Sequence, residues 1–247
     1  MKTILFTTII ALLCAPASAA DLKSGPPLPH RLVKDWAQLP KGMNFGECSG
    51  VDVDKAGNVW VFNRGAHPII QLDKNGKLVQ AWNEDTARIR SSHGIRVDPD
   101  GNLWAVDVKG HVLIKFSPIG RVLMILGNRQ GTPGNNDSKG QFNEPTGVAF
   151  TANGDFYVSD GYVNSRFIRF NRDGEQLAHW GTKGTGDGQF NLVHDVAVDG
   201  RGRVYIADRS NSRVQIFDAD GKFLGKWADV GQPWGLYYVG RENAMYM

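Results

Sequence analysis

The sequence predicts an all-β chain folded as a β-propeller, on three observations. A motif of roughly 40–50 residues recurs along the chain, and each copy divides into four short strand-like segments. The 247 residues include 30 glycines, far more than helices tolerate and what many tight turns require. Seven Trp, six Tyr and twelve Phe supply the bulky side chains that sheets favour.

The first segment stands apart from this pattern. Met1-Lys2 gives a basic start, Ile4 to Leu13 is apolar except for Thr7 and Thr8, and Ala17-Ser18-Ala19 reads as a cleavage site. Residues 1–19 are therefore expected to be a signal peptide cleaved near Ala19, with 20–29 a linker and 30–247 the propeller. The apolar run is too short to span a bilayer, and Cys14 after Leu13 fits a lipidation site poorly, so a secreted or periplasmic location is expected. Loss of Lys2 takes the net charge from +3 to +2, which implies neither nucleic acid nor an anionic membrane as partner. A monomer is expected. Cys48 then remains without an internal disulfide partner and reads as a buried free thiol.

The repeats run in order as SGVDVDKAGNVWVFNR from Ser49, HGIRVDPDGNLWAVDV from His93, TGVAFTANGDFYVSDGYVNSR from Thr146 and HDVAVDGRGRVYIADRSNSR from His194. A fifth, WGLYYVGRENAMYM, begins at Trp234, and the steps between copies are 44, 53, 48 and 40 residues. Within each copy an alternating first strand leads through a turn such as Asp100-Gly101-Asn102 into an apolar second strand: VWVF, LWAV, FYVS or VYIA. The third strands are IIQLD, VLIKFS, FIRFN and VQIFD. Fourth strands follow a further turn, as at Asn75-Gly76, Asp173-Gly174 and Asp220-Gly221. Four antiparallel strands at this period describe a propeller blade. Arg31–Trp36 matches the fourth-strand pattern without three strands before it, and the fifth copy stops within its second strand. About four and a half blades of a six-bladed ring are therefore expected, with the ring incomplete at the C-terminus.

Stacking the copies aligns one informative column, the residue that starts each innermost strand: Ser49, His93, Thr146, His194 and Trp234. Innermost strands line the channel, so these side chains should converge at one mouth of it. His93 and His194 lie on alternate blades, which in a six-bladed ring is two thirds of a three-histidine site on the axis, a ligand set that suits catalytic zinc. The alternative is that each histidine is an ordinary satisfied polar residue. The end of the second strand reaches the same face, and there the sequence has Arg64 and Arg209, with Tyr162 one place later in its copy. Such residues could anchor a carboxylate and supply a phenol acid or base, or Arg209 and Asp208 could simply brace the blade, as Asp107 and Asp160 would.

GTGDGQFNLVHDVAVDGRGRVYIADRSNSRVQIFDADGKFLGKW and GQFNEPTGVAF resemble NHL repeats. FGECSGVDVDKAGNVWVFNRGAH, HGIRVDPDGNLWAVDV and VSDGYVNSR together resemble peptidyl-α-hydroxyglycine α-amidating lyase. That resemblance implies a six-bladed propeller with axial zinc and a structural calcium, cleaving a carbinolamide to a peptide amide and glyoxylate. It places zinc on His93 and His194, and calcium on the main-chain carbonyls of Val51 and Ile95. Arg64 becomes the active-site arginine, Tyr162 the catalytic tyrosine and Arg209 the arginine supporting it. The implied substrate is a small molecule or peptide with a carboxylate. The family's third zinc histidine, a nearby methionine and a calcium aspartate have no counterpart. Two other classes compete: a non-catalytic NHL propeller that binds protein or glycan, and a calcium-dependent lactonase, against which the column of His, Ser, Thr and Trp argues.

Overall fold

The computed structural model describes residues 31–129 and 132–247; the expected signal peptide and linker lie outside the described residues. Blade 1 comprises β1 (Cys48–Val53), β2 (Val59–Asn63), β3 (Ile69–Leu72) and β4 (Leu78–Trp82), and a one-turn helix α1 (Glu84–Ala87) leads on. Blade 2 is β5 (Ser92–Val97), β6 (Leu103–Asp107), β7 (Val112–Phe116) and β8 (Val122–Gly127). Blade 3 is β9 (Pro145–Phe150), β10 (Phe156–Asp160), β11 (Arg166–Phe170) and β12 (Gln176–Trp180). After a short parallel pair, β13 (Thr182–Lys183) and β14 (Gln189–Phe190), blade 4 follows as β15 (Val193–Val198), β16 (Val204–Asp208), β17 (Arg213–Phe217) and β18 (Phe223–Trp227). A two-stranded fifth sheet pairs β19 (Tyr237–Val239) with β20 (Ala244–Tyr246).

Each four-stranded sheet is an antiparallel meander in chain order. The first strands gather at the centre, β1 beside β5, β5 beside β9, and β9 beside β15. Sheets radiating from a common axis are propeller blades.

The second strands explain why the blades stack. Residues on a strand alternate between its two faces. On β6, Leu103 and Ala105 pack with Trp60, Phe62 and Trp82 of blade 1, whereas Trp104 and Val106 pack with Phe156 and Val158 of blade 3. On β16, Val204 and Ile206 face blade 3, and Tyr205 and Ala207 face Leu236, just before the fifth sheet. Both faces are dry, so these strands read as unbroken apolar runs rather than as alternating ones. Fourth strands form the rim, and Val79, Leu123, Leu177 and Leu224 on them are exposed.

Two expectations fail here. Arg31–Trp36 forms no strand; the segment leads instead to Gln38, which bridges Lys77 in parallel beside β4 and donates its N–H to Gly76 O (2.7 Å). The thiol of Cys48 is exposed, not buried, because β1 is an innermost strand and its first residue opens on the channel mouth, outside the inter-blade cores.

Candidate functional site

The last residue of each second strand sets up the mouth of the channel. Asp107, Asp160 and Asp208 are fully buried and receive backbone N–H groups of the loop before their own blade: Arg90 and Ser91, Asn143, and Asn191 respectively. In blade 1 the amide of Asn63 takes this place, accepting from Gly46 and Gly65 N–H. With this side chain turned inward as a brace, the next residue is Arg64 in blade 1, which lines the mouth, and Arg209 in blade 4, whose guanidinium lies over the Trp234 ring at that mouth. In blade 3 that place is Gly161, where a β-carbon would lie 1.9 Å from Val193 O, and Tyr162 follows it into the site.

The whole predicted column converges. Ser49, His93, Thr146, His194 and Trp234 line one cavity of about 540 Å³ together with Arg64 and Tyr162. The innermost strands come very close here: a β-carbon on Gly94 would sit 2.6 Å from Thr146 O.

Each histidine is locked by the neighbouring blade. His93 Nδ1 donates to Thr146 O (2.6 Å) and His194 Nδ1 to Trp234 O (2.5 Å). A carbonyl only accepts, so each Nδ1 carries the proton and each Nε2 turns a lone pair toward the axis. The two rings meet edge to face with centroids 4.9 Å apart. Between them stands Tyr162 Oη, 3.2 Å from His93 Nε2 and 3.1 Å from His194 Nε2. One phenol proton cannot satisfy two lone pairs. The pair is therefore short of one positive group.

Burial lowers the pKa of His93, with the charges of Arg64 and Arg209 adding to it against Asp195 and the Thr146 carbonyl. His194 is lowered from 6.5 to about 4, chiefly by burial, then by His93. Both rings are neutral at pH 7, the form that binds metal. The depression has a sign for stability. Above pH 6.5 both folded and unfolded chains hold His194 neutral. As pH falls from 6.5 toward 4 only the unfolded chain takes the proton, so stability drops, by about 3 kcal/mol for a shift of this size. Urea denaturation of the metal-stripped protein at pH 7 and pH 4.5 should show this drop, and His194→Gln should remove most of it.

The arginines flank the histidines. Arg64 Nη1 pairs with Glu47 at 3.1 Å, and Nη2 donates to Ser92 O at 3.3 Å. Arg209 makes no hydrogen bond to Tyr162 among the described residues; its guanidinium lies 3.5 Å from the centroid of the Trp234 ring. Its charge still acts on both imidazoles. Val51 lines the cavity, opposite Val61 in the ladder, but the carbonyl of Ile95 already accepts Arg96 Nη1 at 2.9 Å. A divalent ion on that oxygen would face a fixed guanidinium, so these residues do not fit calcium. Arg96 and Asp195 escaped the column reading. Asp195 breaks a column of glycines, Gly50, Gly94, Gly147 and Gly235, which was the signal available for it.

The NHL repeat profile matches residues 142–170 and 190–217. The chain carries NHL repeats. The matched stretches lie in blades 3 and 4, where the third strand opens with Arg166 or Arg213 on the buried Asp160 or Asp208; blades 1 and 2 have Ile69 and Val112 there. Among relatives, this NHL-repeat chain is 33% identical over 213 residues to human NHL repeat-containing protein 3, covering 80% of this chain and 59% of that protein. It is 32% identical over 210 residues to rat peptidylglycine alpha-amidating monooxygenase, covering 72% of this chain and 21% of that one. A probable peptidyl-alpha-hydroxyglycine alpha-amidating lyase of Caenorhabditis elegans is 34% identical over 102 residues, 40% of this chain and 28% of the other. The chain thus spans less than two thirds of the length of these relatives, from 59% down to 21%. A streptogramin B lyase structure superposes with a TM-score of 0.63 at 16% identity, covering 83% of this chain and 62% of that one, a likeness of fold alone.

Proposed function

We propose that this chain is an exported zinc-dependent lyase that cleaves a carbinolamide of the peptidyl-α-hydroxyglycine type to an amide and glyoxylate. The observation that carries the reading is the facing pair of neutral imidazoles, each with Nδ1 fixed on a carbonyl and Nε2 turned to the axis. This donor set suits zinc and supplies two ligands; no cluster of three or more metal-ligating side chains occurs among the described residues. Bound zinc supplies the Lewis acidity that makes a substrate hydroxyl easier to deprotonate.

The chain's own groups do the rest. Arg64 at the cavity wall receives the α-carboxylate, releasing its exposed partner Glu47 to solvent. Tyr162 Oη, entering the step as the phenolate, takes the hydroxyl proton and holds it within reach of both histidines. The carbon–oxygen bond becomes a carbonyl, the carbon–nitrogen pair passes to nitrogen, and a proton returned there completes the departing amide. No electron acceptor is needed. Arg209, stacked on Trp234, keeps a positive charge beside the histidines and favours an anionic substrate.

An assay of glyoxylate release from an N-acyl-α-hydroxyglycine tests the reading. Turnover should vanish on chelation and return with zinc. Arg64→Met should raise KM about tenfold or more with a smaller change in kcat. Zinc-loaded protein that releases no glyoxylate overturns it. A second reading, a non-catalytic propeller that binds a protein or glycan partner, draws on the 33% identity to NHL repeat-containing protein 3; protein without stoichiometric zinc or glyoxylate release favours that one.

A further inference from the structure

Beside the histidine cavity a salt bridge joins blade 2 to blade 4. Arg96, on β5 of blade 2, donates Nη1 to Ile95 O (2.9 Å) and Nη2 to Asp195 Oδ2 of blade 4 (3.2 Å) and to the O of Leu236, the residue before β19 (3.1 Å). The two side chains are only 18% and 12% exposed. The guanidinium also lies 5.6 Å from the Tyr237 ring centroid. Asp195 Oδ2 accepts Leu236 N–H as well (2.9 Å). The Tyr237 hydroxyl donates to Asp52 Oδ1 (3.1 Å), and Asp52 Oδ2 accepts Val97 N–H (2.7 Å). One connected network therefore runs across the axis through blades 1, 2 and 4 and the fifth sheet.

The network is also a partition. The histidine cavity and a second of about 290 Å³ share Arg96, Leu236 and Tyr237 as lining. Carbonyl oxygens and the carboxylates of Asp52 and Asp195 make this level of the channel negative, and something positive must balance it. A guanidinium does so with donors in a planar fork and a charge that cannot be lost.

We propose that Arg96 is the resident cation of the propeller axis, closing the channel beside the histidine cavity and bracing the blades as the resemblance would have calcium do at Val51 and Ile95. This does not depend on the lyase reading, and its test reads stability and metal content. The native chain should melt at the same temperature in millimolar EGTA and in millimolar calcium, and should retain no calcium after dialysis. Arg96→Met should melt roughly 5–10 °C lower in EGTA, because Asp195 is left buried without its partner. Arg96→Lys keeps the charge without the fork and should lose less. Stoichiometric calcium on the native chain, with a melting point above that in EGTA, overturns the proposal; so does an Arg96→Met variant that melts with the native chain. If Arg96→Met does not fold, the calcium measurements on the native chain and the Arg96→Lys melt decide.

Discussion

Tyr162→Phe should cut turnover of an N-acyl-α-hydroxyglycine by about 10²–10⁴-fold while leaving zinc content and melting temperature near native values. The substitution removes one oxygen and nothing else. The ring keeps its edge-to-face contacts with His93 and His194, at centroid distances of 5.3 and 5.6 Å. Tyr162 is 38% exposed, so little buried packing depends on its hydroxyl. What is lost is the proton-carrying atom that lies within 3.2 Å of both Nε2 atoms. Rate loss at constant zinc separates a proton-transfer role from a structural one. Unchanged turnover would remove Tyr162 from the chemistry, and a parallel loss of zinc would make it a support for the histidines.

The largest effect on stability should come from Arg166→Met, about 3–5 kcal/mol, read as a fall in the urea midpoint. Arg166 has no exposed side-chain surface. Its Nε bonds Asp160 at 2.9 Å, and its terminal nitrogens donate to the carbonyls of Asn136, Ser138 and Gln141 at 2.6–2.8 Å. A methionine fills the space but leaves a buried carboxylate and three carbonyls without these donors. The loop from Asn135 to Gln141 should then become the first site of proteolysis. Lys226→Met breaks only the surface pair with Asp187 and should barely move the midpoint. Equal effects at the two positions would mean that burial of Arg166 contributes nothing.

Sequence reading reached the blades and the mouth of the channel for one reason: both are properties of the repeat. Period-two alternation marks which residues face which neighbouring blade, and position within the copy maps onto distance from the axis. His93 and His194 could therefore be set side by side from their shared column, although 101 positions separate them. Aspartates at the ends of second strands were legible as braces by the same logic. What lies between blades was not legible. Arg209 finds the Trp234 ring instead of Tyr162, and Arg96 reaches Asp195 across 99 positions, because such contacts depend on the angle between blades and the reach of a particular side chain. Cys48 is exposed because the end of an innermost strand opens on the channel, which no local pattern of hydrophobicity records. The sequence by itself determined the all-β repeat, its strands and the residues offered to the axis. Only the tertiary structure decided which of them meet, and that a guanidinium joins two blades beside them, since those pairings are made across the ring and not along the chain.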